Sequence, residues 1–324
     1  MEGYGKHSMD AFEFENGSVL NDVNVEFSLS GTPKYDAEGN ITNLILYFHG
    51  FNGDYSSVND MFFLTREGGV LDKNDYFIIS ITSLGLPESC SPSSTGLKHN
   101  FPKYTIMDRV NFKRQFIMEN FKFKKICGLI GKGLGGYEIF TWACEFPDEM
   151  DFIIVAGSSY KTNGYRYVVS KGVEGIIDST DDFYDDVYSE SLSRVLISIN
   201  KVLYSNYFSK KIFQELSNDE IDVLMDDFVD EGLFLDIYDL KFRNDAILEY
   251  DVEDKLDRIK AKSLFISTEN DIYFTPKFDL DPLKKLVKDS KIVLLNTEFD
   301  FGDDYKEYRM AEEDIGNFLK QFKE

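Results

Sequence analysis

Six short runs along the chain are almost continuously hydrophobic. They are NLILYF (43–48), YFIISI (76–81), KICGLIG (125–131), FIIVAG (152–157), KSLFIST (262–268) and KIVLLN (291–296). Strands that are buried on both faces of a parallel sheet have this pattern, whereas strands with one solvated face alternate apolar and polar residues. The runs therefore predict a mostly parallel sheet at the centre of the molecule.

Amphipathic segments between these runs predict helices. The clearest are residues 106–121, residues 134–146 and the closing AEEDIGNFLKQF (311–322). Strands that alternate with helices are typical of a doubly wound α/β sheet. The sequence NDVNVEFSLSG (21–31) predicts antiparallel edge strands, and the residues before it, which include His7, are interpreted as an N-terminal tail.

The alternation breaks between about residues 165 and 255. This region is acidic, has helical patterns such as SESLSRVLISINKVLYSNYF (189–208), and has no apolar run of the kind found in buried strands. We interpret residues 161–257 as a helical cap. It is inserted into a core that is formed by residues 1–160 and 258–324.

Composition excludes several classes of partner. The chain has 324 residues, 58 of them acidic and 35 basic, which gives a net charge of −23. Such a surface repels phosphate backbones and anionic lipids, so nucleic acid and membrane are disfavoured as partners. No apolar run approaches the roughly 18 residues of a membrane span. The three cysteines have no paired spacing, which predicts neither a disulfide framework nor a zinc site and favours the cytoplasm.

A glycine-rich turn, GKGLGG (131–136), joins a predicted strand to a predicted helix. Gly131, Gly133 and Gly136 fit the G-x-G-x-x-G of a dinucleotide-binding loop. The context disfavours that interpretation, because several strands precede the turn and no carboxylate follows the next strand to hold a ribose. The turn also fits the nucleophile elbow G-x-S-x-G, with Gly133 in place of the serine. We favour the elbow and expect no cofactor and no metal.

An elbow needs backbone donors for a developing oxyanion. The N–H of Leu134, at the start of the predicted helix, is one candidate. The segment HGFNGD (49–54), directly after a buried strand, supplies the other as an oxyanion loop that contains His49, Gly50 and Phe51.

Four segments resemble the homoserine O-acetyltransferase group of α/β-hydrolase-fold acyltransferases. HGFNGD (49–54) is similar to the H-A-x-T-G-D loop of that family, and SPSSTGLKHNFPKYTIMDRVN (91–111) is similar to its G-P-S-S and F-P-x-x-T-I-x-D-M-V-N block. Residues 129–159 resemble its G-G-S-M-G-G elbow and the helix and strand that follow. Residues 244–267 resemble the return from the cap. The resemblance implies an α/β-hydrolase fold, with a mostly parallel doubly wound sheet and an inserted helical cap.

The resemblance also implies a reaction. In that family a serine takes an acyl group from an acyl-CoA and passes it to a hydroxyl, with a histidine and a carboxylate as partners. Carried onto this chain, the serine position is Gly133 and the acid position is Asp271, a remnant acid. The segment in which the histidine is expected, LNTEFDFGDDY (295–305), contains none. The substrate-guiding arginine of the family has no clear counterpart, because Arg166 and Lys171 are only nearby basic residues.

Other side chains offer substitutes for the serine, each with a structural interpretation beside it. Cys127, Cys144, Ser158 and Ser159 are interpreted as core or capping groups, and Lys132 as pointing to solvent or pairing with the acidic cap. Cys90 lies in a loop that faces the predicted pocket, and His99 would be a base without a nucleophile to serve. Asp271 also fits the aspartate that caps a turn after a buried strand.

These residues leave three functional hypotheses. The first is a catalytically inactive or non-classical relative that binds an acyl or other small-molecule ligand, or a protein partner. The second is an active acyltransferase or hydrolase, acting on acyl-CoA or esters, that uses a non-standard nucleophile. The third is a scaffold subunit that pairs with an intact homologue. The resemblance also implies a homodimer.

Overall fold

The computed structural model describes residues 2–185, 188–297 and 308–322. Its centre is an eight-stranded sheet with the order β1-β2-β4-β3-β5-β6-β7-β8. The strands are β1 Glu2–Glu13, β2 Val19–Gly31, β3 Leu44–Phe48, β4 Phe77–Ile81, β5 Ile126–Lys132, β6 Met150–Ala156, β7 Lys262–Thr268 and β8 Ser290–Leu295. From β4 to β8 every neighbouring pair is parallel, which confirms the predicted mostly parallel sheet.

The prediction of an N-terminal tail was wrong. Residues Glu2–Glu13 form β1, which pairs antiparallel with β2 and places His7 opposite Val25. The strand belongs to a long hairpin that is buried on one side, where Met9 and Phe12 enter the core. One solvated face gives an alternating pattern rather than a continuous apolar run. The predicted edge strand at 21–31 is confirmed as part of β2.

Helices cover both faces of the sheet. In the core these are α1 Phe62–Thr65, α2 Ile106–Asn120, α3 Leu134–Glu145, α9 Pro276–Leu286 and α10 Glu312–Leu319. The predicted helices over 106–121, 134–146 and 311–322 correspond to α2, α3 and α10. Two separate apolar clusters lie on the two sides of the sheet. Within the described residues, no helix has both the length and the apolar character needed to cross a bilayer.

Five further helices lie between β6 and β7, in the segment that we call the helical insertion (residues 161–257). They are α4 Gly164–Ile177, α5 Glu190–Tyr204, α6 Lys210–Glu215, α7 Asn218–Gly232 and α8 Ile237–Leu248. Its two ends meet, because the N–H of Thr162 donates to Tyr250 O and that of Val252 donates to Tyr160 O. The helical character of this segment agrees with the sequence, and its limits as a separate unit stay a prediction.

Candidate functional site

The glycine turn between β5 and α3 has the backbone of a sharp elbow. Gly133 has φ 51° and ψ −123°, which is a conformation that favours glycine over residues with a side chain. Its N–H donates to the carbonyl of Gly157 at 3.0 Å, and its own carbonyl accepts from Ser158 Oγ at 2.6 Å. The end of the neighbouring strand β6 therefore holds the elbow on both sides.

The neighbours of Gly133 let the helix approach the strands closely. A Cβ atom placed on Gly135 would lie 2.4 Å from the carbonyl oxygen of Phe48 and 2.6 Å from that of His49. A Cβ atom on Gly136 would lie 2.2 Å from Ser158 Oγ. Contacts this short are prohibitive, so the first turn of α3 packs directly on the loop that follows β3.

A cavity of about 500 Å³ lies between the core and the helical insertion. Gly50, Phe51, Gly133 and Leu134 all line it, so the structure brings the predicted loop and the predicted elbow to one wall. Leu134 is the first residue of α3, and the first N–H groups of a helix have no partner within the helix. The positive end of the α3 dipole therefore lies at the cavity.

His49 supports this wall from beneath. Its side chain is fully buried, and Nε2 accepts a hydrogen bond from the N–H of Ser83 at 3.0 Å. Nδ1 therefore carries the proton and donates to the carbonyl of Gly50 at 2.9 Å. Burial, with Lys113 beside it, holds the pKa of His49 well below its usual range, so the ring is neutral. His49 is not among the described residues that line the cavity. Its ring instead holds the loop of residues 49–54 in place.

A buried ionic cluster lies next to His49. Glu138, on α3, accepts hydrogen bonds from Arg109 Nη2 at 2.8 Å and from Ser83 Oγ at 3.0 Å, and it pairs with Lys113 Nζ at 2.8 Å. Burial opposes ionisation of Glu138, but the two cations lower its pKa to about 2. Burial likewise lowers the pKa of Lys113 to about 8. The cluster therefore joins α2, α3 and the loop after β4 underneath the oxyanion loop.

Asp271 follows β7 and is buried. Its Oδ1 accepts from the N–H groups of Tyr273 at 2.8 Å and Phe274 at 2.7 Å, which is the predicted turn cap. Its Oδ2 has no hydrogen-bond partner among the described residues. Burial raises the pKa of Asp271 to about 6. Most of the segment that would carry a histidine partner, residues 298–305, lies outside the described residues.

A family model described as "alpha/beta hydrolase fold" matches residues 43–303 of this chain, about four fifths of its length. The chain belongs to the α/β-hydrolase-fold family. The mostly parallel eight-stranded sheet with helices on both faces is the structural counterpart of that match. The predicted fold class is confirmed.

Relatives place this α/β-hydrolase-fold protein among homoserine O-acetyltransferase-like members. It is 37% identical over 290 residues to a "Probable acyltransferase" of Methanothermobacter thermautotrophicus, covering 90% of this chain and 89% of that one. It is 24% identical to a homoserine O-acetyltransferase of Pasteurella multocida over 90% and 91% of the two chains. The crystal structure of the Bacillus anthracis homoserine O-acetyltransferase, 18% identical, superposes with a TM-score of 0.84 over 98% of each chain. The resemblance seen in the motifs is thereby confirmed.

The three cysteines of this α/β-hydrolase-fold chain lie in surroundings that suit a structural role and not a catalytic one. Burial raises the pKa of Cys90 and of Cys144 to about 12, and that of Cys127 to about 11. Cys127 Sγ also donates to the carbonyl of Thr42 at 3.0 Å. Since the thiolate is the nucleophile, raised pKa values make these thiols unreactive at neutral pH. None of the three belongs to the cavity lining that the described residues form.

Lys132 lies elsewhere than the sequence suggested. It lines the cavity, and its Cε lies 3.6 Å from the position that a Cβ atom on Gly50 would take. The side chain therefore passes over Gly50 at van der Waals distance. The structure thus places Lys132 at the cavity and not in open solvent. The other expectation, that it pairs with an acidic residue of the helical insertion, stays a prediction.

Ser159 and Arg166 form a clamp that the sequence did not reveal. Arg166, on α4, donates from Nη1 to Asp279 Oδ2 at 2.7 Å and from Nη2 to Asp279 Oδ1 at 2.8 Å. Ser159 Oγ donates to the same carboxylate at 2.8 Å. The clamp joins the helical insertion to α9 of the core. A separation of 113 residues between Arg166 and Asp279 leaves no local pattern to detect.

Two more contacts fix the helical insertion to the core, and both involve α8. The guanidinium carbon of Arg243 lies 4.4 Å from the ring centroid of Phe51, so a buried cation supports the oxyanion loop. Asp239 accepts from Ser93 N at 2.8 Å and from Ser93 Oγ at 2.6 Å. The SPSS segment (91–94), which begins the block of residues 91–111 that resembles the family, thus has a structural role. His99, in the same block, is not among the described residues that line the cavity.

Asp271→Asn is expected to stabilise the protein at neutral pH. The pKa of the carboxyl is higher in the folded chain than in the unfolded one, so ionisation costs stability above pH of about 6 and the cost disappears below about pH 4. Asparagine keeps the Oδ1 acceptor and removes the charge. The free energy of unfolding should rise by about 2–3 kcal/mol at pH 7.5. The gain should fall to about 1 kcal/mol at pH 4.5 and vanish below about pH 4. A lower stability of the variant than of the natural chain at pH 7.5 would contradict this.

Proposed function

We propose that this protein binds an acyl-bearing or other small-molecule ligand in the cavity without forming an acyl-enzyme intermediate. One observation carries the proposal. Gly133 stands at the apex of an elbow that lines the cavity next to the first N–H of α3, where a nucleophilic side chain would reach a bound carbonyl. Glycine offers no atom for that role.

The positions of the histidines support the same proposal. A serine nucleophile needs a histidine that takes its proton and a carboxylate that orients the histidine. Of the three histidines in the sequence, His7 lies in β1, and both ring nitrogens of His49 are hydrogen-bonded to backbone groups. His99 is not among the described residues that line the cavity. Asp271 remains as an acid with one oxygen unused among the described residues.

The cavity keeps features that suit a ligand. Its volume of about 500 Å³ falls in the range that holds small molecules. Its wall combines apolar side chains from the helical insertion with the elbow and the loop. A site that has lost its nucleophile but kept its walls and donors can still hold a carbonyl or carboxylate group.

The alternative function is acyl transfer or hydrolysis with a non-standard nucleophile. The observation that favours it is the 37% identity to a protein named as a probable acyltransferase. Lys132 is the nucleophile-type side chain nearest to the elbow apex in sequence, and it lines the cavity. We rank this function second because an amide formed on a lysine does not turn over as an acyl-serine ester does.

A turnover assay separates the two functions. Acetyl-CoA and succinyl-CoA are offered with homoserine, and p-nitrophenyl esters are offered alone, to the natural chain and to Asp271→Ala, Cys90→Ala and Lys132→Met. We expect rates no higher than those of buffer with an equal amount of an unrelated protein. Turnover that one of these substitutions abolishes would overturn the proposal and would name the residue responsible.

A reducing compartment is part of the proposal. The three cysteines are free in the described structure, and a cytoplasmic chain keeps thiols in that form. The predicted homodimer remains a prediction that gel filtration with light scattering checks. A mass near 37.4 kDa in solution would contradict it.

A further inference from the structure

The charged side chains that line the cavity do not balance. Lys132 and Asp60 lie in the core wall with opposite charges, and both have interactions within the protein. Glu231, on α7, is the third charged residue of the described lining. It is exposed, and its carboxylate has no hydrogen bond or ion pair with any described residue. Two carboxylates against one lysine leave an excess negative charge on the wall from the helical insertion, which favours a cation.

Two aromatic rings lie close to this carboxylate. Phe228 lines the cavity and precedes Glu231 by three residues on α7, so the two side chains share one side of the helix. Tyr207 lines the cavity too, and its ring centroid lies 5.2 Å from that of Phe228 at an interplanar angle of 63°. The face of an aromatic ring attracts a cation, and inclined rings beside a carboxylate form the kind of site that binds an ammonium group.

A hydrogen-bond acceptor without a donor lies beside these rings. Asn206 directly precedes Tyr207, lines the cavity and is only 6% exposed. Its Nδ2 lies 3.3 Å from the carbonyl of Leu203, whereas its Oδ1 is buried with no hydrogen-bond partner among the described residues. A buried carbonyl oxygen without a donor lowers stability, so this atom favours a ligand that carries N–H groups. A primary ammonium group has three of them.

Much of the remaining lining is apolar. Side chains of the helical insertion and of the core contribute to it, namely Val169, Val173, Leu240, Ile247 and Phe274. An alkyl chain is the ligand part that gains most from such a lining, because its burial removes apolar surface from water. The cavity therefore suits a molecule with an apolar chain and one cationic end.

We propose that the ligand of this cavity is a monocation, namely an aliphatic primary amine whose remaining part is uncharged. Its ammonium group lies against Tyr207, Phe228 and Glu231 and donates to Asn206 Oδ1. Its alkyl chain runs along the apolar lining towards the elbow. This inference rests on the proposed function, because it names the ligand that the cavity holds without acylation.

The same wall discriminates against other polar ends. A carboxylate would meet the like charge of Glu231, which lowers affinity. A hydroxyl group could donate to Asn206 Oδ1, but it gains nothing from the charge of Glu231 or from the ring faces. An ammonium group is the end that uses all four side chains.

Ligand-observed NMR titration of the natural chain at neutral pH tests the charge preference without any variant. The compounds are 6-aminohexanamide, 6-hydroxyhexanamide, heptanamide and heptanoate, which match in length and differ in charge or in the terminal donor. We expect 6-aminohexanamide to bind about fivefold or more tightly than the hydroxy compound and heptanamide, from the combined attraction of rings and carboxylate. Heptanoate should bind more weakly than heptanamide.

Two further titrations of the natural chain separate the forces. Raising the salt concentration from about 0.05 M to about 0.5 M should weaken the binding of 6-aminohexanamide and leave that of heptanamide unchanged, because salt screens Glu231. Trimethylation of the amine keeps the charge and removes the N–H groups. It should weaken binding by about threefold or more, because Asn206 Oδ1 then has no donor.

Variants then locate the cationic end. Glu231→Gln should weaken 6-aminohexanamide roughly threefold and leave heptanamide unchanged. Phe228→Leu keeps an apolar side chain but removes the ring, and should give a similar selective loss. The matched control is Asp230→Asn, which removes one charge from a neighbouring exposed residue of α7 and should leave both affinities unchanged. Asp230 is not among the described residues that line the cavity.

Four results would each overturn the inference. They are an amine that binds no more tightly than heptanamide or the hydroxy compound, heptanoate that binds more tightly than heptanamide, amine affinity that is unchanged in both variants, and equal affinity of the trimethylated amine. In each case the proposed function would still stand if one of these compounds or an acyl-CoA binds without forming an acyl-enzyme. An acyl-enzyme formed from a p-nitrophenyl ester would instead remove the proposed function itself, so the two failures are distinguishable.

Discussion

Glu138→Gln is expected to lower the free energy of unfolding by about 3–5 kcal/mol, a large fraction of the total stability of a typical domain. Glu138 contacts both Arg109 and Lys113, and all three side chains are 0–1% exposed. Glutamine keeps the shape and removes the charge, so the two buried cations lose the carboxylate that they share. Removing one partner from a buried ionic cluster lowers stability far more than the intact cluster raises it, because the remaining charges stay buried without a counter-charge.

Urea unfolding of the natural chain and of the variant measures this loss. The control is Asp151→Asn, which breaks the Lys125–Asp151 pair at 45% exposure of each side chain and should cost less than about 1 kcal/mol. A double variant, Glu138→Gln with Lys113→Met, should recover part of the loss because one unpaired cation is gone. Losses that simply add in the double variant would show that the cluster does not act as a unit.

Arg166→Met is expected to cost a similar amount, about 3–5 kcal/mol. The arginine is 4% exposed and binds both oxygens of Asp279, and its Nη1 also donates to the carbonyl of Tyr273 at 2.8 Å. Methionine fills much of the same volume but leaves the Asp279 carboxylate buried without its cation. The same change frees α4 from α9, so the helical insertion loses a point of attachment to the core.

Two measurements check this prediction together. Urea unfolding gives the loss of stability, and limited proteolysis reports whether cleavage within residues 161–257 becomes faster. Adding Asp279→Asn to Arg166→Met should restore part of the stability, since the unpaired charge is removed. An exposed ion pair usually contributes less than about 1 kcal/mol. If Arg166→Met loses no more stability than that and is cleaved as slowly as the natural chain, the clamp is dispensable.

The strands and the elbow could be predicted because their signals are local. Continuous apolar runs mark strands that are buried on both faces, and β3 and β4 are buried at every position. The elbow is contained in six consecutive residues, 131–136, whose glycines are required by contacts with Phe48 and Ser158. By contrast β1 has one solvated face, so its apolar pattern is too weak to distinguish a strand from a tail.

The groups that hold the site together could not be predicted, because they come from distant parts of the chain. Arg109 and Glu138 are 29 residues apart, and Arg166 and Asp279 are 113 apart. A charged residue in the sequence is usually exposed, so nothing local indicates that these four are buried. The direction of Lys132 is likewise a property of the folded chain, because its side chain passes over Gly50 in a different loop, 82 residues earlier in the sequence.

The intact mass of the protein during exposure to an acyl donor tests the proposed function most directly. The natural chain is mixed with acetyl-CoA, and separately with p-nitrophenyl acetate, and is quenched in acid at intervals from seconds to minutes. We expect no adduct at any cavity residue, because Gly133 provides no nucleophile at the elbow. A mass increase of one acetyl group that peptide mapping assigns to a side chain lining the cavity would contradict the proposed function and identify a working nucleophile.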